Sequence, residues 1–176
     1  HSHILAGTIP NCVSYDPTFA HEVGVIMQHG LKRMVEQQEN VFYYITLLNE
    51  NYPMPGLKAG TEAEIIKGMY LLQSGGKAKQ RVQLLGSGTI LRESIAAQAL
   101  LESDWGIAAD VWSCPSFNEL TRDGQDADRW NLLHPTEKPR QSFVEQQLSG
   151  SKGPIVATTD YMKAYAEQIR PFIPKD

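Results

Sequence analysis

After residue 60 the chain alternates between helical and extended segments, and this alternation limits the fold more than any other feature of the sequence. Short apolar strands separated by helices are typical of an α/β protein with a mainly parallel sheet and helices on both of its faces. The predicted strands are 82–85, 110–114 and 154–158, and the predicted helices are 61–72, 90–104, 117–121 with 127–133, and 160–169. We therefore predict a three-layer α/β fold. Its strand carboxyl ends share one rim, where ligands tend to bind.

Two further elements are predicted before residue 60. Asp16-Pro17 has the pattern of a helix N-cap followed by a proline in the first turn, and apolar residues recur at helical spacing as far as Met34. The run 41–48 contains almost no polar residue, which is typical of a strand covered on both faces. A helix and a strand are thus expected to precede the alternating part.

Residues 49–60 separate these two parts of the chain. Two prolines and two glycines fall within these twelve residues, a composition that favours a linker or a long crossover over a helix or a strand. We predict a domain boundary here, with one unit over residues 1–57 and a second over residues 58–176.

The composition excludes several classes of protein. A hydrophobic content of 41% is too high for a disordered chain, and two cysteines cannot build a disulfide scaffold. With 16 basic and 20 acidic residues, the net charge of −4 gives no electrostatic reason to expect nucleic acid as a partner. No apolar run is long enough for a membrane helix and no secretory leader opens the sequence, so we expect a cytoplasmic protein without a membrane partner.

A glycine-rich turn follows the strand at 82–85. Gly86-Ser87-Gly88-Thr89 lies between a strand and a helix, where backbone N–H groups can bind a phosphate. The third glycine of a dinucleotide fingerprint is missing, since Leu91 occupies its place, and the lysine of a phosphate-binding loop is missing too. A tight turn is the favoured interpretation, and an anion site is the alternative.

The histidines at the start of the chain have two interpretations. In an extended segment His1 and His3 would face the same side, where two imidazoles could bind a metal or transfer protons. A frayed terminus or a remnant of a purification tag explains the same residues without any function. From the residues alone, the second interpretation is favoured.

Other reactive residues do not form a recognisable site. Cys12 and Cys114 lie outside any C-x-x-C motif and are expected to be packing residues. The acidic residues at 123, 126 and 128 lack the glycine and glutamate spacing of a calcium loop, so we expect a solvated loop there.

Several long motifs resemble one enzyme family over essentially the whole chain. They are Ile9-Pro10-Asn11, Tyr15-Asp16-Pro17, the run 41–55, Lys67-Gly68-Met69-Tyr70, and the runs 82–88, 117–126, 129–135 and 159–163. This set resembles the homodimeric bacterial pyruvate dehydrogenases. They are the decarboxylating components, dependent on thiamine diphosphate, of the pyruvate dehydrogenase complex.

The resemblance implies a place within a larger enzyme. The chain is similar to the last part of the pyrimidine-binding middle domain (1–57), followed by most of a transketolase-like C-terminal domain (58–176). Members of the family are homodimers that use thiamine diphosphate and Mg²⁺ to decarboxylate pyruvate. They pass the two-carbon unit to a lipoyl group on dihydrolipoamide acetyltransferase.

The resemblance also changes the interpretation of the opening histidines. The family carries an E-D-G-x-[ST]-H stretch just before the I-P-N segment, and His1-Ser2-His3 matches its end. That stretch lies at the family's active site, so His3 is the first candidate for a catalytic residue and His1 the second. A histidine there would transfer protons or hold the substrate carboxylate.

The same comparison shows what this sequence lacks. The segment that holds Mg²⁺ and diphosphate in the family is absent, and so is the glutamate that activates the cofactor. We expect a fragment that binds no cofactor or metal and is inactive by itself. The alternative is a free-standing, non-catalytic α/β binding or docking module.

Overall fold

The structure is a computed structural model that describes residues 2–174. The first part of the chain forms a parallel two-stranded sheet flanked by helices. Strand β1 pairs with β2 in a register that places Cys12 beside Phe42 and Tyr15 beside Ile45. The elements are α1 (Ser2–Gly7), β1 (Cys12–Tyr15), α2 (Ala20–Leu31), which continues as a π-helical turn (Lys32–Glu36), and β2 (Phe42–Ile45).

The second part forms a four-stranded sheet with the strand order β3-β5-β4-β6. Strands β4, β5 and β6 run parallel, and β3 is an antiparallel edge strand. The elements are α3 (Glu62–Lys67), β3 (Tyr70–Gln73), β4 (Arg81–Gly86), α4 (Leu91–Trp105), β5 (Ala108–Ser113), α5 (Phe117–Leu133), α6 (Phe143–Leu148), β6 (Ile155–Thr158) and α7 (Lys163–Glu167). Short 3-10 turns lie before α4 and after α7.

Helices cover both faces of the four-stranded sheet. Alternate residues of a strand face opposite sides, so Leu84 packs with Leu91 of α4 while Leu85 packs with Leu120 of α5. Helices α6 and α7 complete the second face. The predicted three-layer α/β fold with a mainly parallel sheet is confirmed.

A third cluster of buried side chains joins the two parts of the chain. Val13 and Ile26 from the first part pack with Ile65 and Tyr70 from the second. The two sheets therefore share a core across the linker.

Several predicted element boundaries are wrong. Helix α2 begins at Ala20 and is capped at Phe19, whose N–H donates to Glu22. Asp16 lies outside this helix and is buried elsewhere, so it is no N-cap. The strand predicted over 41–48 is reduced to β2, and Phe42 on it is 45% exposed, so it is not covered on both faces.

The helix predicted over 61–72 ends early because Gly68 adopts a φ of +106°, in the left-handed region. The backbone carbonyl of Ser116 also leaves no room for a side chain at this position. A Cβ there would lie 2.5 Å from the carbonyl oxygen of Ser116. The chain then extends into β3. The two short helical pieces predicted over 117–133 are a single helix, α5, capped by the hydroxyl of Ser116.

The start of the chain is helical from Ser2, not extended, and His1 lies outside the described residues. Within the described part of the chain, no helix combines the length and the hydropathy needed to cross a membrane.

Candidate active site

The side chain of His3 is completely buried where the two sheets meet. It lies on α1 and is surrounded by tyrosine rings. The ring centroids of Tyr44, Tyr161 and Tyr165 lie 5.3, 5.0 and 5.1 Å from that of the imidazole. From α5, the side-chain amide of Asn118 donates to the backbone carbonyl of His3 over 2.7 Å, which fixes α1 in place.

A chain of hydrogen bonds connects His3 to a buried carboxylate. His3 Nε2 lies 2.9 Å from Thr46 Oγ1, and the Thr46 hydroxyl donates to Asp16 Oδ1 over 2.6 Å. The hydroxyls of Ser87 and Tyr161 donate to the same carboxylate over 3.1 and 3.5 Å. Burial raises the pKa of Asp16, and these hydrogen bonds oppose the rise because they stabilise the charged form.

The folding of both sheets explains why these polar residues meet. Asp16 directly follows β1 and Thr46 directly follows β2, and the register of this parallel pair places them side by side. In the same way Ser87 follows β4 and Thr159 follows β6, and their hydroxyls are 3.2 Å apart. The cluster is therefore built from the carboxyl ends of two parallel strand pairs, one in each sheet, and β4 and β6 end at the rim that the sequence predicts.

His3 is neutral near pH 7. Burial lowers the pKa of its imidazole to about 4, because a charged ring would lose its solvation among the surrounding aromatic side chains. Its other ring nitrogen, Nδ1, has no hydrogen-bond partner among residues 2–174. A buried basic atom without a partner is rare in proteins and needs an explanation.

A small cavity of about 90 Å³ adjoins the cluster. Asp16, Thr46 and Tyr161 line it together with Thr89 and Asp160. Pro17, Leu47, Leu48 and Gly88 complete its walls, which are therefore partly polar and partly apolar. Such a cavity has room for a few water molecules at most.

The glycine-rich turn packs against the same carboxylate. The Ser87 N–H donates to Thr158 O and the Gly88 N–H donates to Asp16 O, so neither is available to a phosphate. Gly88 has a φ of +54°, and a Cβ there would lie 2.5 Å from Asp16 Oδ2. The prediction of a tight turn is confirmed, and the negative charge beside this turn argues against the alternative of an anion site.

Glu22 is a second buried carboxylate, at the start of α2. It accepts hydrogen bonds from the N–H groups of Thr18 and Phe19 and from the hydroxyls of Tyr70 and Ser113, at 2.5 to 3.0 Å. All four donors are satisfied by one side chain, which joins the start of α2 to the neighbouring strands β3 and β5. This arrangement stabilises the fold and leaves no lone pair open toward a cavity.

No metal site is formed by the residues that the structure describes. Within 2–174, no three histidine, cysteine, aspartate or glutamate side chains are placed to share an ion. The predicted acidic loop is part of α5, and Asp123 accepts a hydrogen bond from the backbone of Phe143. Cys12 and Cys114 are buried and free. Residues 2–174 therefore offer Mg²⁺ no cluster of three acidic ligands.

Comparison with known proteins places this chain in a family. A model described as "Transketolase-like TK C-terminal domain" matches residues 68–173. The chain belongs to this family. A second model, "Pyruvate dehydrogenase E1 component middle domain", matches residues 1–55. The predicted resemblance to pyruvate dehydrogenase over the end of one domain and most of the next is thereby confirmed.

Curated relatives that match essentially the whole chain are named pyruvate dehydrogenase E1 component. The chain is 60% identical to the pyruvate dehydrogenase E1 component of Pseudomonas aeruginosa and 56% identical to that of Cupriavidus necator, over 99% of its length in both cases. It is 55% identical to the Escherichia coli K12 protein over 100% of its length. The chain spans 20% of the length of each of these relatives.

Solved structures show the same fold. Two transketolase crystal structures from Pichia stipitis, one of them a complex with sedoheptulose 7-phosphate, superpose on 97% of this chain with a TM-score of 0.51. Sequence identity is 18%, and the match covers 24% of each transketolase chain. This likeness concerns the fold alone.

The sequence indicates His3 through a family motif but does not indicate the residues that bond to it. Thr46 lies in a run with the pattern of an apolar strand, and Asp16-Pro17 has the pattern of a helix cap. The available signal was their position: each polar residue directly follows an apolar strand, as Ser87 also does. Polar residues at the carboxyl ends of parallel strands tend to meet at one rim.

Proposed function

We propose that this chain is a segment of the E1 component of pyruvate dehydrogenase. In that protein residues 1–57 complete the pyrimidine-binding middle domain and residues 58–176 form most of the transketolase-like C-terminal domain. The observation that carries the proposal is identity of 55–60% over 99–100% of this chain to three bacterial E1 components.

The proposed activity is that of the whole E1 component. It decarboxylates pyruvate and transfers the two-carbon unit to the lipoyl group of the acetyltransferase, as a cytoplasmic homodimer dependent on thiamine diphosphate and Mg²⁺. The cofactor, when bound, would supply a nucleophilic carbon and a cationic thiazolium ring that accepts the electrons released by decarboxylation. In this proposal the cofactor is held by other parts of the longer protein; within 2–174, no three histidine, cysteine, aspartate or glutamate side chains are placed to share a metal ion.

The proposed contribution of this chain is the histidine segment at its start. His3 is the first candidate for a catalytic residue, and His1 is the second. A neutral imidazole has a lone pair that can accept a hydrogen bond or a proton from a reacting group, and its low pKa favours passing that proton on. The hydrogen bond between His3 Nε2 and Thr46 holds the ring, and the hydrogen bond from Asn118 holds the helix that carries it.

The proposal is tested by comparing two purified polypeptides. The full-length protein that carries these residues is expected to release CO₂ from pyruvate when thiamine diphosphate and Mg²⁺ are added, and to acetylate a lipoyl domain. The 176-residue chain is expected to do neither under the same conditions. Decarboxylation by the short chain would show that it is not a dependent segment. A full-length protein that is inactive on pyruvate would refute the proposed activity.

A further inference from the structure

The protons around Thr46 can be assigned from the hydrogen-bond geometry. The hydroxyl of Thr46 has one proton to donate, and its nearest acceptor is Asp16 Oδ1 at 2.6 Å. Two other oxygens lie within reach of Thr46 Oγ1, the Tyr161 hydroxyl at 3.3 Å, which donates to it, and the carbonyl oxygen of Tyr15 at 3.4 Å. The Asp16 carboxylate and the Tyr15 carbonyl are acceptors only, so a Thr46 proton shared with either of them points away from His3. Thr46 Oγ1 must then accept the hydrogen bond that it shares with His3.

This direction fixes the tautomer of His3. A neutral imidazole carries a single N–H proton, on one nitrogen or the other. Since Thr46 Oγ1 accepts at 2.9 Å, that proton lies on Nε2, and Nδ1 carries the lone pair. Nδ1 is also the nitrogen without a partner, so the ring presents a bare proton acceptor to its surroundings.

The surroundings of the ring favour its neutral form. Three tyrosines face it directly: Tyr44 from β2, Tyr161 just before α7 and Tyr165 on α7. The Asp16 carboxylate is connected to the ring by way of the Thr46 hydroxyl. The Asp16 carboxylate does not contact the imidazole directly. It is held by three hydroxyl donors and by the close approach of Gly88, so its orientation toward Thr46 is fixed.

We propose that Asp16 and Thr46 are positioning residues that hold His3 as the Nε2–H tautomer, with Nδ1 as its proton-accepting atom. The proposal rests on the proposed function, in which His3 handles a proton during the reaction of pyruvate. It adds two residues and one specific ring atom to that function. Neither residue needs to touch the substrate, because each acts through the imidazole.

The most direct test locates the proton itself. Neutron diffraction from a deuterium-exchanged crystal of the full-length protein is expected to show deuterium on Nε2 of His3 and none on Nδ1. Deuterium on Nδ1 would overturn the proposal. This experiment uses the wild-type protein, so it does not depend on the folding of any variant.

A pair of variants tests the consequence for catalysis. Thr46→Val keeps the shape of the side chain and removes the hydroxyl, and Thr46→Ser restores the hydroxyl without the methyl group. We expect Thr46→Val to lower kcat on pyruvate about tenfold or more, with KM changed less than about twofold, and Thr46→Ser to recover most of that loss. The exposed residue Thr136 provides the control, since Thr136→Val should leave kcat unchanged.

The outcomes distinguish the positioning role of Asp16 and Thr46 from the proposed catalytic role of His3. If Thr46→Val retains full kcat, or if Thr46→Ser loses as much as Thr46→Val, the two residues do not position the histidine. If His3→Asn retains full kcat while neutron diffraction shows the Nε2–H tautomer, the geometric assignment holds and the proposed catalytic role of His3 fails.

Discussion

Replacement of His3 by glutamine should change how the stability of the protein depends on pH. Glutamine can place its amide N–H where His3 Nε2 donates to Thr46, so His3→Gln keeps this hydrogen bond and removes the titrating group. A histidine with a pKa of about 4 in the folded protein and 6.5 in the unfolded chain binds a proton only in the unfolded chain between those two values. The wild-type protein should therefore lose stability as the pH falls from about 6.5 to about 4.

The expected size of this loss is about 3 kcal/mol, from the difference between a pKa of 6.5 and one of about 4. This loss can be measured by urea unfolding of wild type and His3→Gln at pH 7 and at pH 4. The free energy of unfolding of wild type minus that of His3→Gln should fall by this amount between the two pH values. Asp16 acts in the opposite direction, because its raised pKa favours the folded state at low pH, but it is present in both proteins and cancels.

His29→Gln is the matched control for this experiment. Burial also lowers the pKa of His29, but its side chain is only half-buried on α2, so the same comparison should give a smaller change. If the difference between wild type and His3→Gln is the same at pH 7 and pH 4, the burial of a neutral His3 is refuted.

Two further predictions concern the buried carboxylates. Gly88→Ala should lower the free energy of unfolding by about 2–3 kcal/mol in thermal unfolding, since φ is +54° and the new Cβ would contact the Asp16 carboxylate. The control is Gly106→Ala, at φ +63° with open space around it, which should cost about 1 kcal/mol. Equal losses would mean that contact with Asp16 does not matter. Glu22→Gln should lower the free energy of unfolding by about 2–4 kcal/mol in the same assay, because an amide cannot accept all four hydrogen bonds. The control is Glu36→Gln at an exposed position, which should cost less than about 0.5 kcal/mol. A Glu22→Gln variant as stable as wild type would show that those bonds contribute little.

The layer architecture was predictable because hydrophobic patterns repeat along the chain. Strands β4, β5 and β6 are short apolar runs bounded by glycine, proline or polar residues, and β5 and β6 each follow a helix. Strand β3 was missed because Tyr70 and Leu72 continue the apolar spacing of α3. The left-handed backbone at Gly68 ends that helix, and the need for it comes from Ser116, 48 residues further along the chain.

The candidate site was only partly predictable. The rim at the strand carboxyl ends followed from the fold class, and His3 from a family motif. Asp16-Pro17 has the local pattern of a helix cap, and nothing nearby in the sequence distinguishes it from a real cap. Its partners Thr46, Ser87 and Tyr161 come from three other elements, so its role appears only when the two sheets are assembled.

The central claim is that this chain supplies a catalytic histidine to a pyruvate dehydrogenase E1 component. The most direct test is the rate of CO₂ release from pyruvate by the full-length protein carrying His3→Asn, with thiamine diphosphate and Mg²⁺ present. The account predicts a kcat lower than wild type by about a hundredfold or more, with cofactor binding retained. A variant that folds, binds the cofactor and turns over pyruvate at the wild-type rate would contradict it.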